Sequence, residues 1–407
     1  MLVLKQLPIV MISMSRWDGD FSSAAWSLAK TFAKDQVVIY VDYPYTLLDF
    51  FRERSKASVQ RRKEALLFGK NALLPLTRYS SNLYGLTPRL MLPINWLPPG
   101  AIYRFFSRIN DRILVASIKK ALKSLDIEEF IFFNSFNPLY LTKLPNGFSP
   151  RLFIYQSRDN IRALEPYLRK HGAQAEVEAI RNADFTIVTS RQLQSDLAEL
   201  SGKAVNYLPN AADFDTFKQS YLEEIPVPSD LQGIPKPIIG YTGNICHRSD
   251  YDLLNHICQQ HPDKSVVMVG PRNHWASTQI DLDAIPNLYF LGPKPIEKLP
   301  EYLAHFDVLI LPFLLNEVTK SIYPLKINEY LASGKPVVAT PFSEDIMAFA
   351  DVIRLEKDHD EFVRAISEEL EGDSIEKRGK RHQVASENTW ENRVAQVWKM
   401  AETLKKQ

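Results

Sequence analysis

Short β-branched runs alternate with longer segments of helical period along this chain, in two series separated by a proline-rich break. That alternation specifies parallel strands joined by crossover helices, because a parallel neighbour can be reached only through a connection of a dozen residues or more. In the first series strands are expected at residues 9–13, 37–41, 130–133, 152–155, 185–189 and 204–207, and helices at 21–33, 102–125, 173–182 and 191–200. The stretch 43–100 is rich in proline, arginine and aromatics; it is too long for an ordinary loop and is expected to contain further helices. The second series places strands at 238–241, 265–269, 288–291, 308–311, 336–339 and 352–355, with helices at 251–260, 296–304, 325–333 and 361–370 and a terminal helix at 387–405.

At 407 residues the chain exceeds what one hydrophobic core usually organises. The expected fold is therefore α/β, with two Rossmann-like doubly wound domains facing a central cleft. Their spans are 1–220 and 237–385, joined by a linker at 221–236 that carries Pro226, Pro228, Pro235 and Gly233. Residues 386–407 form a terminal helix expected to pack back towards the first domain.

Charge is distributed unevenly. Residues 1–210 hold 28 Lys/Arg against 18 Asp/Glu, and the remainder holds 21 against 30. Most of the excess lies between Phe50 and Lys123, so the first half is expected to meet something anionic. Arg52, Arg54, Lys56, Arg61, Arg62 and Lys63 sit among Leu47, Phe50, Phe51, Leu66 and Phe68. Cations beside aromatics suit an anionic membrane surface; a solvated helix face over buried aromatics is the equal alternative. No nucleic-acid recognition motif accompanies them. The two cysteines, Cys246 and Cys258, have neither metal spacing nor a disulfide framework around them. With no apolar run of bilayer length and no leader-type cleavage site, the expected location is cytoplasmic, peripheral on the inner face of the plasma membrane.

The run that carries chemistry is Ser321-Ile-Tyr-Pro-Leu-Lys-Ile-Asn-Glu-Tyr-Leu-Ala-Ser-Gly-Lys-Pro-Val-Val-Ala-Thr340. Pro324 suits the first turn of a helix and Gly334 the position just past its end. Lys326 then lies beside the positive end of the helix dipole, unfavourable for a cation unless an anion binds there. Glu329 follows one turn later, and a plain Lys326–Glu329 surface pair is the bland alternative.

This run resembles the donor-binding segment of retaining GT-B glycosyltransferases of the family-4 type, the glycosyl transferases group 1, in their bacterial surface-polysaccharide subgroup. Gly240-Tyr-Thr-Gly-Asn-Ile-Cys-His-Arg248, Leu291-Gly-Pro293, Asp307-Val-Leu-Ile-Leu-Pro312, Ala183-Asp-Phe-Thr-Ile-Val-Thr-Ser190 and Leu208-Pro-Asn-Ala-Ala-Asp213 are similar to other landmarks of that family, in its order. The resemblance implies a UDP- or GDP-sugar donor held by the second domain and a glycan or lipid-linked acceptor on the first. It implies that Lys326 and Arg248 neutralise the departing diphosphate with the helix N-terminus at Pro324 and Leu325, and that Glu329 holds the ribose hydroxyls. Gly243 and Asn244 would form the loop beside the phosphates. Ser321 stands where the family places the first glutamate of its pair, and Asn244 where many relatives have arginine. Gly19 is either a backbone approach to phosphate or a plain turn glycine. Retention is implied; in an inverting mechanism Asp18 or Asp20 is the expected base, since no histidine precedes His171.

No cofactor or metal is expected: the nucleotide-sugar is a co-substrate. Asp18-Gly-Asp20 reads as a metal-type Asp-x-Asp, but the spacing recurs at Asp213/Asp215, Asp250/Asp252, Asp281/Asp283 and Asp358/Asp360, so it carries little information. His256 and His261 are five apart, which is not a zinc spacing. Two further readings keep the fold: a nucleotide-sugar epimerase and a non-catalytic nucleotide-sugar-binding subunit.

Overall fold

The computed structural model describes residues 2–19, 23–164, 166–222, 224–273 and 280–404. It divides into two compact units: residues 1–208 with 394–407, and residues 209–393. The division falls ahead of the proline-rich segment, which belongs wholly to the second unit.

The first unit is built on strands β1 (Ile9–Ser13), β2 (Val38–Val41), β3 (Leu73–Pro75), β4 (Leu83–Leu86), β5 (Ile131–Ser135), β6 (Leu152–Ser157), β7 (Phe185–Val188) and β8 (Asn206–Tyr207). Their order in the sheet is β3-β4-β2-β1-β5-β6-β7-β8, with the β3–β4 pair antiparallel and the rest parallel. In register, Ile9 lies opposite Val38 on one side and Ile131 on the other. All of β1, β2, β5 and β6 is buried, which is why these strands read as continuous apolar runs rather than alternating ones. Helices begin where serine can cap them: Ser23 accepts from Trp26 N ahead of Ala24–Phe32, and Ser190 from Leu193 N ahead of Arg191–Ser201. The terminal helix Trp390–Leu404 closes this unit, with Trp398 edge-on to Phe32 at 5.5 Å and Val397 fully buried.

Residues 43–100 contain two helices and a strand pair. Thr46 and Asp49 form a reciprocal cap on Leu47–Glu53, and Ala57–Phe68 ends on Gly69 at φ 62°. Ala57–Phe68 hides from periodicity because one of its inward residues is Arg62, a buried cation in place of an apolar side chain.

The second unit has six parallel strands: β9 (Ile238–Thr242), β10 (Ser265–Val269), β11 (Leu288–Gly292), β12 (Val308–Leu311), β13 (Val337–Ala339) and β14 (Arg354–Leu355). Their order is β11-β10-β9-β12-β13-β14. The chain winds outward from β9 in one direction and returns to its other side at β12. Such a reversal leaves a crevice at the carboxyl ends of those two strands, where open α/β sheets place their ligands. Gly240 lets β9 lie close under a buried ring, since a Cβ there would stand 2.1 Å from Phe306 Cδ2. The helix Ile375–Glu387 was not expected from periodicity: its buried residues are Arg381 and Ala385, too little apolar surface to register.

Candidate functional site

The loop leaving β9 is fixed from both sides. Gly243 N donates to Val269 O at 2.7 Å and Ile245 N to Pro271 O at 2.9 Å, tying it to the end of β10. Asp250 N donates to Pro312 O at 2.8 Å and Leu314 N to Arg248 O at 2.9 Å, tying it to the end of β12. Arg248 is thereby held at the reversal point, its Nε 3.3 Å from Cys246 Sγ.

The helix Leu325–Ala332 is delivered to the same place. Ile327, Tyr330 and Leu331 are fully buried at helical spacing and anchor it in the core. Tyr330 Oη accepts from Thr242 N at 2.8 Å, so the last residue of β9 and the helix are bonded directly. Pro324 precedes the first helical residue rather than occupying the first turn, and no side chain caps that end. The amides of the first turn are therefore presented without a capping acceptor, a ready anion site. At the other end Ser333 and Gly334 (φ 70°) stop the helix, and His382 Nδ1 lies 3.0 Å from Ala332 O.

Lys326 lies across Gly243. A Cβ on Gly243 would fall 1.8 Å from Lys326 Cε, and the backbone there has φ 128°, so glycine is required on both counts. The ammonium sits 5.4 Å from the centre of the Tyr241 ring and 5.7 Å from that of Phe313. Burial first, and Arg248 second, hold its pKa below the usual lysine range, with Glu329 acting in the opposite sense. Glu329 is pushed upward by burial, against the attraction of Lys326. No ion pair or hydrogen bond joins the two among the described residues, so the plain surface pair is not what forms. Three polar atoms of the same segments are buried without partners among the described residues: Asn244 Oδ1, Ser249 Oγ and Ser321 Oγ. Unmet buried acceptors and hydroxyls are uncommon and mark places where a ligand group can complete the set.

In the first unit the loop after β1 departs from expectation. Asp18, expected as a base, is an ion-pair partner: Arg62 bonds both its oxygens, at 2.5 and 2.8 Å, and Arg61 adds a third contact at 2.7 Å. The two arginines overcome burial and hold the Asp18 pKa below the usual carboxylate range, which removes its basicity. Arg62 reaches on to the fully buried Asp42 at 2.9 Å, and Thr87 bonds the same oxygen. Arg62 is thus internal and cannot belong to a membrane-facing row. Gly19 N donates to Arg16 O at 3.1 Å, the behaviour of a turn glycine rather than of an amide offered to phosphate. Asp20 lies outside the described residues.

The recurrent Asp-x-Asp spacing has a local cause. Asp213, Asp250, Asp281 and Asp358 each cap a helix, and the second aspartate of each pair sits in the first turn, beside the positive dipole end. Among the described residues no three His, Cys, Asp or Glu side chains gather as metal ligands. His256 contacts Asp360 at 2.7 Å and His261 contacts Val363 O at 3.1 Å, so both are occupied within the fold.

Comparison with known proteins agrees with this geometry. Residues 236–371, all in the second unit, match the family model described as Glycosyl transferases group 1. A Bacillus subtilis (strain 168) protein, TuaH, whose name provisionally assigns it to teichuronic acid biosynthesis as a glycosyltransferase, is 29% identical over 182 residues, 44% of this chain and 45% of TuaH. The chain thus aligns with less than half the length of that curated relative. The Candida albicans trehalose-6-phosphate phosphatase N-terminal domain superposes with TM-score 0.65 at 12% identity, over 98% of this chain and 97% of that one. Anabaena Alr3699/HepE in complex with UDP-glucose gives 0.59 at 14% identity, over 99% and 100%. An E. coli structure described as trehalose-6-phosphate bound with UDP-2-fluoro glucose gives 0.61 at 12%, over 98% and 99%. At these identities the likeness concerns the fold, which is GT-B: two Rossmann-like units.

Gly243→Ala and Lys326→Met are both expected to weaken binding of inorganic pyrophosphate about ten- to a hundredfold. That is the equivalent of one charge-assisted contact of ~1.5–3 kcal/mol. Calorimetric titration checks this, with circular dichroism as the folding control; wild-type affinity in both variants would contradict the role given to Lys326.

Proposed function

We propose that this protein is a glycosyltransferase that moves a sugar from a UDP- or GDP-sugar to a glycan or lipid-linked acceptor, with retention, in surface-polysaccharide or glycolipid synthesis. The observation that carries the reading is the meeting of Lys326, Arg248 and an uncapped helix N-terminus at the β9–β12 reversal, with no acidic side chain ion-paired to Lys326 among the described residues. Cations brought near each other in a buried place each disfavour the other's charge and are complementary to a diphosphate. The family match of this unit and the UDP-glucose of the similar Anabaena structure support the same reading.

In this account the bond between the anomeric carbon and the diphosphate oxygen breaks as Lys326, Arg248 and the first-turn amides take up the developing charge. The acceptor oxygen forms its bond on the same face, and its proton passes to a departing phosphate oxygen. Glu329 holds the ribose hydroxyls, while Asn244 and Ser321 offer their unmet groups to the donor. Engagement of Asp18 by Arg61 and Arg62 takes one of the two candidate bases, Asp18 and Asp20, out of an inverting reaction.

The test is transfer from radiolabelled UDP- and GDP-sugars by the purified chain, with slow hydrolysis as the fallback signal. Glu329→Ala is expected to raise the donor KM at least tenfold while leaving the thermal midpoint within a few degrees. Interconversion of the sugar without release would replace a transferase by an epimerase.

We further propose that the first unit meets an anionic membrane surface. Phe51, Trp96, Ile102 and Phe105 are 60–74% exposed. They stand among exposed Arg52, Arg54, Lys56, Arg104 and Arg108. The Thr46–Met91 bridge and the Asn110 hydrogen bonds to Leu92 connect the two helices that bear them to one intervening strip. Among the described residues no helix is long and apolar enough to cross a membrane. Sedimentation with anionic liposomes is expected at low salt and lost at high salt or in Phe51→Ser/Trp96→Ser; no binding at any ionic strength would remove the idea.

A further inference from the structure

The carboxyl edge of the first unit's sheet holds a cation, Arg158, whose side chain no described residue pairs. Arg158 follows directly on β6, its backbone carbonyl accepting from Thr189 Oγ1 at 2.9 Å. Its side chain makes no hydrogen bond and no ion pair among the described residues, and its Nε is shut off from solvent without a partner. Asp159, next in the chain, acts on it only at longer range. The guanidinium carbon lies 5.5 Å from the centre of the Phe136 ring, and Phe136 has φ 61°, a left-handed conformation that a bulky residue rarely holds.

A cluster of hydroxyls lies at the end of β1. Ser15 Oγ lies 3.1 Å from Ser13 Oγ, 2.9 Å from Ser23 Oγ and 2.6 Å from Tyr40 Oη. The Tyr40 hydroxyl and Arg158 are close enough for each to shift the other's proton affinity. The cluster covers the end of β1 beside the reversal of this sheet, since β1 lies between β2 and β5. Asn137 Nδ2, bonded to Ser13 O at 3.2 Å, holds the Phe136 turn against it. A half-buried guanidinium whose Nε is shut off from solvent with no partner among the described residues is costly unless a ligand supplies the missing acceptor. Hydroxyls that can rotate to donate and a planar guanidinium together fit phosphate oxygens.

We propose that Arg158 with Ser13, Ser15 and Ser23 forms an anion site of the first unit that binds a phosphate ester borne by the acceptor. This rests on the reading of the second unit as the holder of the donor diphosphate, which leaves the other substrate for this one. The acceptor class is accordingly a phosphorylated one, either a sugar phosphate or a phosphate-linked lipid, with the phosphate held away from the hydroxyl that receives the sugar.

The experiment is equilibrium dialysis of the full chain with radiolabelled orthophosphate and, separately, glycerol 3-phosphate. Two classes of site are expected in the wild type. Arg158→Gln should lose one class by at least tenfold and retain the class that Arg248→Gln removes. Unchanged binding in Arg158→Gln overturns the proposal, whereas unchanged binding in Arg248→Gln alone overturns only the donor reading. Tighter binding of the ester than of orthophosphate supports an acceptor-borne group; the reverse order overturns that assignment. Folding is read independently. Removal of a half-buried cation that no described residue pairs should leave the thermal midpoint of Arg158→Gln equal to or above wild type, and a fall of many degrees would show a structural role instead.

Discussion

The hydrogen bond from Thr242 N to Tyr330 Oη is the contact on which the second unit's chemistry depends. It fastens the end of β9 to the helix Leu325–Ala332 from inside the core, where both partners are buried and the bond is hard to exchange for water. With that helix fixed, Lys326 has one place to go, across the bare Cα of Gly243. The loop from Gly243 to Asp250, stapled to the ends of β10 and β12, then carries Arg248 into the electrostatic range of Lys326. Position comes from apolar packing and backbone bonding. The charges are placed at the expense of their own stability.

That expense is the functional signal. Lys326 is weakened as a cation by burial and by Arg248, and Glu329 as an anion by burial, although they sit one turn apart. A structural ion pair would have closed up to hydrogen-bond distance. Here the two stay apart, which in the proposed reading leaves Lys326 to meet phosphate and Glu329 to meet hydroxyls. The first unit shows the contrast within one molecule. Asp18, Arg62 and Asp42 form a closed, mutually satisfied set and so read as structure, while the Arg158 side chain has no hydrogen-bond partner among the described residues, which is the ground for the site proposed there.

Much of this was legible in the residues. Pro324 and Gly334 punctuate the key helix, and the strands of both units are continuous apolar runs, so their existence and order could be read directly. The Lys326–Glu329 spacing pointed to the helix that lies at the β9–β12 reversal. What could not be read was pairing across distance. Asp18 looks like a free acid until Arg62, remote in sequence, folds onto it. The helix Ala57–Phe68 turns that buried arginine inward, which disguises its period. Asn244 and Ser321 became visible as unmet polar groups only when their surroundings were known. At Asp213, Asp250, Asp281 and Asp358 the repeated Asp-x-Asp spacing follows helix capping and dipole preference.

The account stands or falls on where a diphosphate binds. A crystal structure of the chain grown with UDP tests this most directly. The prediction is a diphosphate with its oxygens within about 3 Å of the first-turn amides at Leu325 and Lys326 and of the Lys326 ammonium, with Arg248 swung towards it. A nucleotide bound elsewhere, with Lys326 still packed unliganded over Gly243, would contradict it.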